Sequence, residues 1–561
     1  MNRKKSGGLV VSVFLFPFVL GVSACEHPAA QAPSPSSLRV AEQSLDTIEL
    51  VRHIRTLASD SFLGRAPSTE GEELTLDYLE RQLLFLGYGA SGEGALLTQE
   101  VPLVSITPDP DMSLTISGNG RPRDLAYGSQ FVAVTPEARE SSELDHSELV
   151  FVGYGIVAPQ YDWDDYEGVD VEGKTVVVLV NDPGFATQDP ETFEGKAMTY
   201  YGRWTYKYEE ADRQGAAGVL LIHDTEAAGY PWATVENGWT GTRFNLAPRY
   251  EELNRLEVEG WLSYPAAQAV FEQAGLDLQQ LEVEAATRDF RALPMNLTAS
   301  VAIQNTVERS VSRNLLARLD GTLRSEEVII YMAHWDHLGV DPSLESDSIF
   351  NGAVDNASGV AALLELARAF TQLHPPPQRS VLFMATTAEE QGLLGSEHYV
   401  RNALHPLDRT VAAINIDGLS IWGPTHDYMV VGHGKSELDE YARRAAEAQG
   451  RRVVPDPEPE KGYFFRSDQF SFAKAGVPAH FGRAGFDIVD RGEEYGRARW
   501  EEWVAKHYHR PSDRYSEDWA LGGALQDMKL WLHMGVDLAY SSEFPNWYEG
   551  TEFRAVRDAM R

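Results

Sequence analysis

The sequence predicts an α/β protein: a mostly parallel sheet sandwiched by helices, carrying an inserted β-rich module. Three observations support this. After about residue 294, apolar strand-like runs alternate with helical patterns, which is the signature of a parallel sheet covered on both faces. Between 141 and 287 the texture changes to short strands separated by acidic and aromatic loops. The chain has 561 residues, enough for about two to four domains. With 43% hydrophobic and 24% charged residues it can bury a large core without disulfide staples.

Residues 1–24 read as a leader. Arg3, Lys4 and Lys5 precede an apolar run over 9–20 that Pro17 interrupts. The run is shorter than the roughly 20 residues a spanning helix needs, so a secretory signal is expected. Val22-Ser23-Ala24-Cys25 resembles a bacterial lipobox, which predicts cleavage and a lipidated Cys25. The expectation is an exported, lipid-anchored protein of the bacterial envelope, attached to the membrane through Cys25. Cys25 is the only cysteine, which excludes an intramolecular disulfide, a cysteine-ligated metal and a thiol nucleophile elsewhere. Residues 25–45, rich in Pro, Ala and Ser, read as a flexible tether.

Residues 46–140 read as the first part of the main domain. Helix is expected over 47–86, with Leu50, Ile54 and Leu57 on one stripe, and a second helical stretch over 72–86 ends at Gly87. Strands follow over 99–104 and 112–116. In the module at 141–287, strands are expected at 148–152, 175–180 and 218–222, with a helix at 206–214. Residues 288–561 complete the main domain, with strands at 328–333, 380–387 and 411–416 and helices at 360–370 and 438–449.

The net charge is −36, and −39 once the three basic leader residues are removed. So acidic a chain excludes nucleic acid as a partner. It also excludes attraction to anionic lipid, so membrane attachment rests on acyl chains.

Candidate chemistry collects where strands end. His334 ends one strand and opens His334-Trp335-Asp336-His337. Glu389-Glu390 follow the next, Asp417 ends a third, and Asp355-Asn356 sit in the glycine-flanked segment 352–359. In open α/β sheets ligands bind beyond the carboxyl ends of the strands. With His509 downstream, two His and three carboxylates suit a pair of divalent ions of zinc type, with one Glu left over as a base. An Asp in a glycine-rich turn can approach both ions, which fits Asp355. Asp336 is placed to receive the second imidazole N–H of His334. One of Glu389 and Glu390 can bind metal while the other takes a proton from water. Neither a G-x-S-x-G elbow, an H-E-x-x-H helix nor a Walker loop occurs.

These segments resemble the M28 family of co-catalytic zinc peptidases, which includes bacterial aminopeptidases. The resemblance rests on Ala333-His334-Trp335-Asp336-His337, Asp355-Asn356-Ala357-Ser358-Gly359, Glu389-Glu390-Gln391-Gly392-Leu393, Ile416-Asp417 and Tyr508-His509. Supporting matches are Leu63-Gly64-Arg65 and Arg466-Ser467-Asp468-Gln469. The segment 141–287 resembles a protease-associated (PA) domain through Val152-Gly153-Tyr154-Gly155 and the glycine-rich turn at 215–222.

The resemblance implies that Asp355 bridges two zinc ions, His334 and Asp417 complete one site, and Glu390 and His509 the other. Glu389 would be the general base and Tyr508 would steady the oxyanion. His509 rather than His507 fits the family register. His337 is expected beside the site without binding metal, and Ser467 and Asp468 in the pocket wall. The implied function is an exported aminopeptidase acting on peptides. Carboxypeptidase or glutaminyl cyclase chemistry on the same scaffold, or a non-catalytic binding protein, are the alternatives.

Overall fold

Runs of β-branched and aromatic residues form the centre of the larger sheet. Val328, Ile329, Ile330 and Tyr331 in Arg324–His334, and Val381, Leu382 and Phe383 in Arg379–Thr386, are buried on both faces. Such continuous burial is what a parallel strand between two helical layers requires. The computed structural model describes residues 1–2, 7, 32–89, 95–136, 138–247 and 256–561. The apolar run at 9–20 and Cys25 lie outside the described residues.

The larger sheet orders its strands as Arg452–Pro455, Asp427–Val431, Ala479–Ala484, Thr410–Asn415, Arg324–His334, Arg379–Thr386 and the end of Leu293–Leu319. Four of these neighbouring pairs are parallel: Arg324–His334 with both of its neighbours, Thr410–Asn415 with Ala479–Ala484, and the outer pair. One face packs against the helices Thr47–Leu57, Glu70–Phe85, Gly359–Phe370 and Gly522–Tyr540. The opposite face is covered by Leu394–Arg401, Gln469–Lys474 and the aromatics Phe464, Phe465 and Trp547. This is the expected mostly parallel sheet between helices.

The smaller unit is a second sheet with its own cores on either side. Its strands Ser141–Phe151, Thr175–Leu179, Gly218–His223 and Val258–Ser263 run parallel to one another, with Phe131–Val134 antiparallel at the edge. The two sheets share one strand, Leu293–Leu319. Its first part pairs with Ser141–Phe151 and its last part with Arg379–Thr386. Along the middle it pairs with Ala95–Pro108, from Ala95↔Arg318 to Pro108↔Asn305.

Two expected boundaries move. The β-rich unit takes in more chain than 141–287, because Ser113–Ser117, Arg123–Ala126 and Phe131–Val134 join its sheet and Leu297, Ala299, Val301 and Ile303 its core. The change in composition lags behind the change in pairing. The tether expected at 25–45 ends earlier than composition suggests, since Pro35–Ser44 is a helix. Ser34 accepts from Ser37 N at 3.1 Å as N-cap and Pro35 supplies the preset first turn. Ala41 and Leu45 enter the core, and Ser37 Oγ donates to the His374 carbonyl at 2.9 Å.

Candidate metal centre

Each expected donor is delivered by a backbone feature. His334 is the last residue of its strand and is 1% exposed. Its Nε2 lies 3.3 Å from Asp355 Oδ1 and 3.4 Å from Asp417 Oδ1. Asp417 follows the strand Thr410–Asn415, and its other oxygen accepts from Ser467 Oγ at 2.6 Å. Glu389 and Glu390 follow Arg379–Thr386 across a turn in which Ala388 takes φ +53°. His509 sits in the turn after the helix Glu493–Lys506, also at positive φ. Its Nε2 lies 3.3 Å from Asp355 Oδ2 and 3.0 Å from Glu390 Oε2.

Asp355 thus presents one oxygen to each histidine. Two groups of possible ligand atoms share it: His334, Asp355 and Asp417, and His337, Asp355 and Glu390, with the atoms of each group within 4.8 Å of one another. His337, expected beside the site, places Nδ1 2.5 Å from Glu390 Oε1, so Glu390 lies between His337 and His509. His507 turns away and places Nδ1 3.1 Å from the Ser512 carbonyl. Tyr508 stacks on His509 with ring centroids 3.8 Å apart and lines the cavity over the cluster.

The loop holding Asp355 is built tightly. Gly352 takes φ +52°, and a Cβ there would meet the Asp355 carbonyl at 2.1 Å. The carboxylate of Asp513 accepts from Val354 N and Asp355 N at 3.1 Å. Asn356 Nδ2 donates to the Ile416 carbonyl at 2.9 Å, and its Oδ1 accepts from Gly359 N and Gly418 N. Asn356 therefore ties the Asp355 loop to the Asp417 loop. Arg65, 1% exposed, donates to the carbonyls of Leu57, Trp335, Asn351 and Gly352 at 2.7–2.9 Å.

Asp336 departs from its expected part. Its carboxylate is 3.9 Å from His334 Nδ1, which instead faces the Asp336 carbonyl at 3.1 Å. The carboxylate accepts from Glu389 N at 3.1 Å and Glu390 N at 3.3 Å. It therefore orients the glutamate pair, while the histidine tautomer is set by backbone. Asp468 is likewise not in the pocket wall: it is fully buried and accepts from Thr386 Oγ1, whereas Ser467 does line the cavity.

The electrostatics suit a cation. Burial by itself lowers the pKa of His334 and of His509, yet the surrounding carboxylates raise both well above the usual histidine value. Burial raises Glu390, and His509 and His337 override it to bring it down to about 2. Glu389 differs: burial, with Asp417 and Glu390 nearby, raises it well above the ordinary carboxyl range. Three carboxylates and two or three imidazoles converge without enough positive charge to balance them. Zinc-type ions take this mixed N/O donor set, so the residues present fit such ions.

The centre opens into a cavity of about 1180 Å³ lined by both units. The main domain contributes Asp355, Glu389, Glu390, Asp417, Tyr508 and His509, and the β-rich unit contributes Trp204, Tyr208, Trp239 and Trp261. Sequence reasoning had placed no site residue in the β-rich unit. The aromatic density of its loops was the available signal.

Residues 314–532 match the sequence model of Peptidase family M28. Aminopeptidase NAALADL1 of Mus musculus is 34% identical over 131 residues, covering 22% of this chain and 16% of that protein. Aminopeptidase YwaD of Bacillus subtilis (strain 168) is 27% identical over 231 residues, 40% of this chain and 44% of that protein. The matched stretches thus span less than half the length of either relative. Among solved structures, an aminopeptidase from Aneurinibacillus sp. strain AM-1 aligns over 90% of this chain and 96% of its own, at 19% identity and a TM-score of 0.48. His334, Asp355, Glu390, Asp417 and His509 all fall inside 314–532, so the stretch that carries the whole donor cluster is the stretch that matches peptidase family M28.

Proposed function

We propose that the chain is a two-zinc aminopeptidase. The observation that carries this reading is the division of Asp355, with Oδ1 3.3 Å from His334 Nε2 and Oδ2 3.3 Å from His509 Nε2. One carboxylate shared between two donor groups is the arrangement a pair of ions requires. His334 and Asp417 would hold one ion and Glu390 and His509 the other. His337 would orient Glu390 through Oε1, leaving Oε2 free to bind. Bound ions would supply Lewis acidity and a water acidic enough to ionise near neutrality.

The chain's own groups do the rest. Glu389 belongs to neither donor group and lines the cavity, so it is the residue free to take a proton from the attacking water and return it to the leaving amine. Its backbone N–H donates to Asp336, which fixes the start of the side chain. The Tyr508 phenol donates to the oxygen that gains charge. Glu389 and Asp417 accept the substrate's free ammonium.

In this reading the β-rich unit is a PA-like domain that walls the substrate cavity. The leader and Cys25 make the protein exported and lipid-anchored in a bacterial envelope, its acyl chains supplying the membrane attachment.

Leucine p-nitroanilide and its N-acetyl form, with and without a chelator, test the reading. Hydrolysis of the free amine, loss with chelator and little turnover of the blocked substrate are expected. Equal rates on both substrates would remove the aminopeptidase assignment. Release of C-terminal residues, or cyclisation of N-terminal glutamine, would replace it with the carboxypeptidase or cyclase chemistry.

A further inference from the structure

Among the arginines that line the cavity above the donor cluster, Arg203 and Arg466 have no acid partner among the described residues. Arg203 precedes the helix Trp204–Arg213 of the β-rich unit, and Arg466 precedes Gln469–Lys474 of the main domain. Both are half-buried. The Nε of each is buried without a hydrogen-bond acceptor, and no carboxylate of the described residues lies within 4.0 Å of either guanidinium. Three other cations of the same cavity are paired, Arg213 with Glu210 at 2.6 Å, Arg401 with Glu397 at 2.6 Å and Lys474 with Glu209 at 2.5 Å, while Arg243 and Arg483 lie over the rings of Trp239 and Trp500 at 4.0 and 3.8 Å.

Aromatic faces hold the two guanidiniums instead. Arg203 Cζ lies 5.1 Å from the Trp204 ring, and Arg466 Cζ lies 5.7 Å from Tyr230 and 5.5 Å from Tyr463. Stacking of this kind leaves the N–H edges of the fork free to donate. The two charges also feel each other. Burial and then Arg466 push Arg203 down to about 10, and both arginines act on the Tyr230 phenol. In a chain of net charge −36, where acids outnumber bases 84 to 48, neither guanidinium has drawn an acid of the described residues to itself. Arg466 is tied to the centre along the chain, because Ser467, the next residue, donates to Asp417 at 2.6 Å.

We propose that Arg203 and Arg466 form a carboxylate-binding subsite of the substrate cavity, shared between the two units. It takes the anionic group of a short peptide whose amino end lies at the donor cluster. A planar carboxylate matches the guanidinium fork and relieves the repulsion between the pair. The carboxylate comes from the C-terminus of a di- or tripeptide or from an acidic side chain beyond the scissile bond. The subsite rests on the peptidase reading for its substrate, but its recognition chemistry is measured without turnover.

Calorimetry on zinc-loaded Glu389→Gln protein provides that measurement, with three probes: Leu-Gly, Leu-Gly amide and Leu-Glu amide. Leu-Gly is expected to bind about tenfold more tightly than Leu-Gly amide, the range of a charge-assisted hydrogen bond. Tighter binding of Leu-Glu amide than of Leu-Gly amide would assign the subsite to an acidic side chain as well. Arg466→Gln should erase these differences. Arg203→Lys, which keeps the charge and loses the fork, should shrink them, so the test stands even if Arg203→Gln does not fold. Equal binding of all three probes, or preferences unchanged in Arg466→Gln and Arg203→Lys, would overturn the proposal. Failure of leucine p-nitroanilide hydrolysis in the wild type would instead count against the aminopeptidase reading alone.

Discussion

His334 and His509 offer the same ring nitrogen to opposite oxygens of Asp355, yet the chain holds them in unlike ways. The His334 side chain is 1% exposed at the end of a central strand, with Asp417 at the end of a nearby one. The His509 side chain is 37% exposed, in a turn at positive φ, and leans on Tyr508. One side of the centre inherits the rigidity of the sheet. The other depends on a turn that its own aromatic neighbour steadies. Local opening is easiest where few buried contacts hold a segment, so the His509 side is the less firmly held of the two.

The largest expected effect belongs to a residue that is part of neither side. Glu389→Gln should lower turnover by about 10²–10⁴-fold while metal content, measured by mass spectrometry, stays at the wild-type level. Near-normal turnover with full metal would remove Glu389 from the chemistry. On the proposed two-zinc reading, Asp355→Ala should empty both sides together, because the one carboxylate would be shared between them. Retention of one ion at full affinity would show that the two sides do not share it.

Separating the two sides needs a paired measurement on metal-free protein. His334→Ala removes a fully buried side chain and should lower stability by about 2 kcal/mol, a cavity plus lost polar contacts. His509→Ala changes an exposed turn and should stay within about 0.5 kcal/mol. Equal losses in urea unfolding would erase the contrast between sheet and turn.

The smallest effect is a pH signature confined to the sheet side. His480 lies in Ala479–Ala484, beside the strand that leads to Asp417, and burial lowers its pKa to about 3. The unfolded chain takes up the proton first, so this contribution to stability is present above about pH 6.5 and is lost as pH falls. At pH 6 the loss is under about 1 kcal/mol. Urea midpoints between pH 7.5 and 5.5 should fall less steeply in His480→Asn than in wild type. Parallel slopes would show that the imidazole is not held neutral.

The same contrast explains what the sequence made legible. His334, Glu389–Glu390 and Asp417 stand out because each follows an apolar run, and a strand aims whatever follows it at the sheet's edge. His509 has no such cue: its helix, Glu493–Lys506, went unforeseen, and only the Tyr-His register pointed to it. Asp336 was misread because its true partners, the amides of Glu389 and Glu390, lie more than fifty residues away. Arg65 and Asn356 stand in the matching motifs, but their roles, like that of Asp513, are bonds mainly to backbone groups, which residue identity does not reveal. The 35–44 helix was hidden by composition, since Pro and Ser suit a tether and a helix start equally.

The strand Leu293–Leu319 sets the schedule of synthesis. Ala95–Pro108 meets Arg243–Leu246 on one edge and, roughly 200 residues later in the chain, Leu293–Leu319 along its whole length on the other. At about 5–20 residues per second the longer of these pairings waits on the order of 10–40 s. An unpaired edge recruits other strands. The edge that Leu293–Leu319 covers therefore stays open until the second half of the chain has begun to emerge.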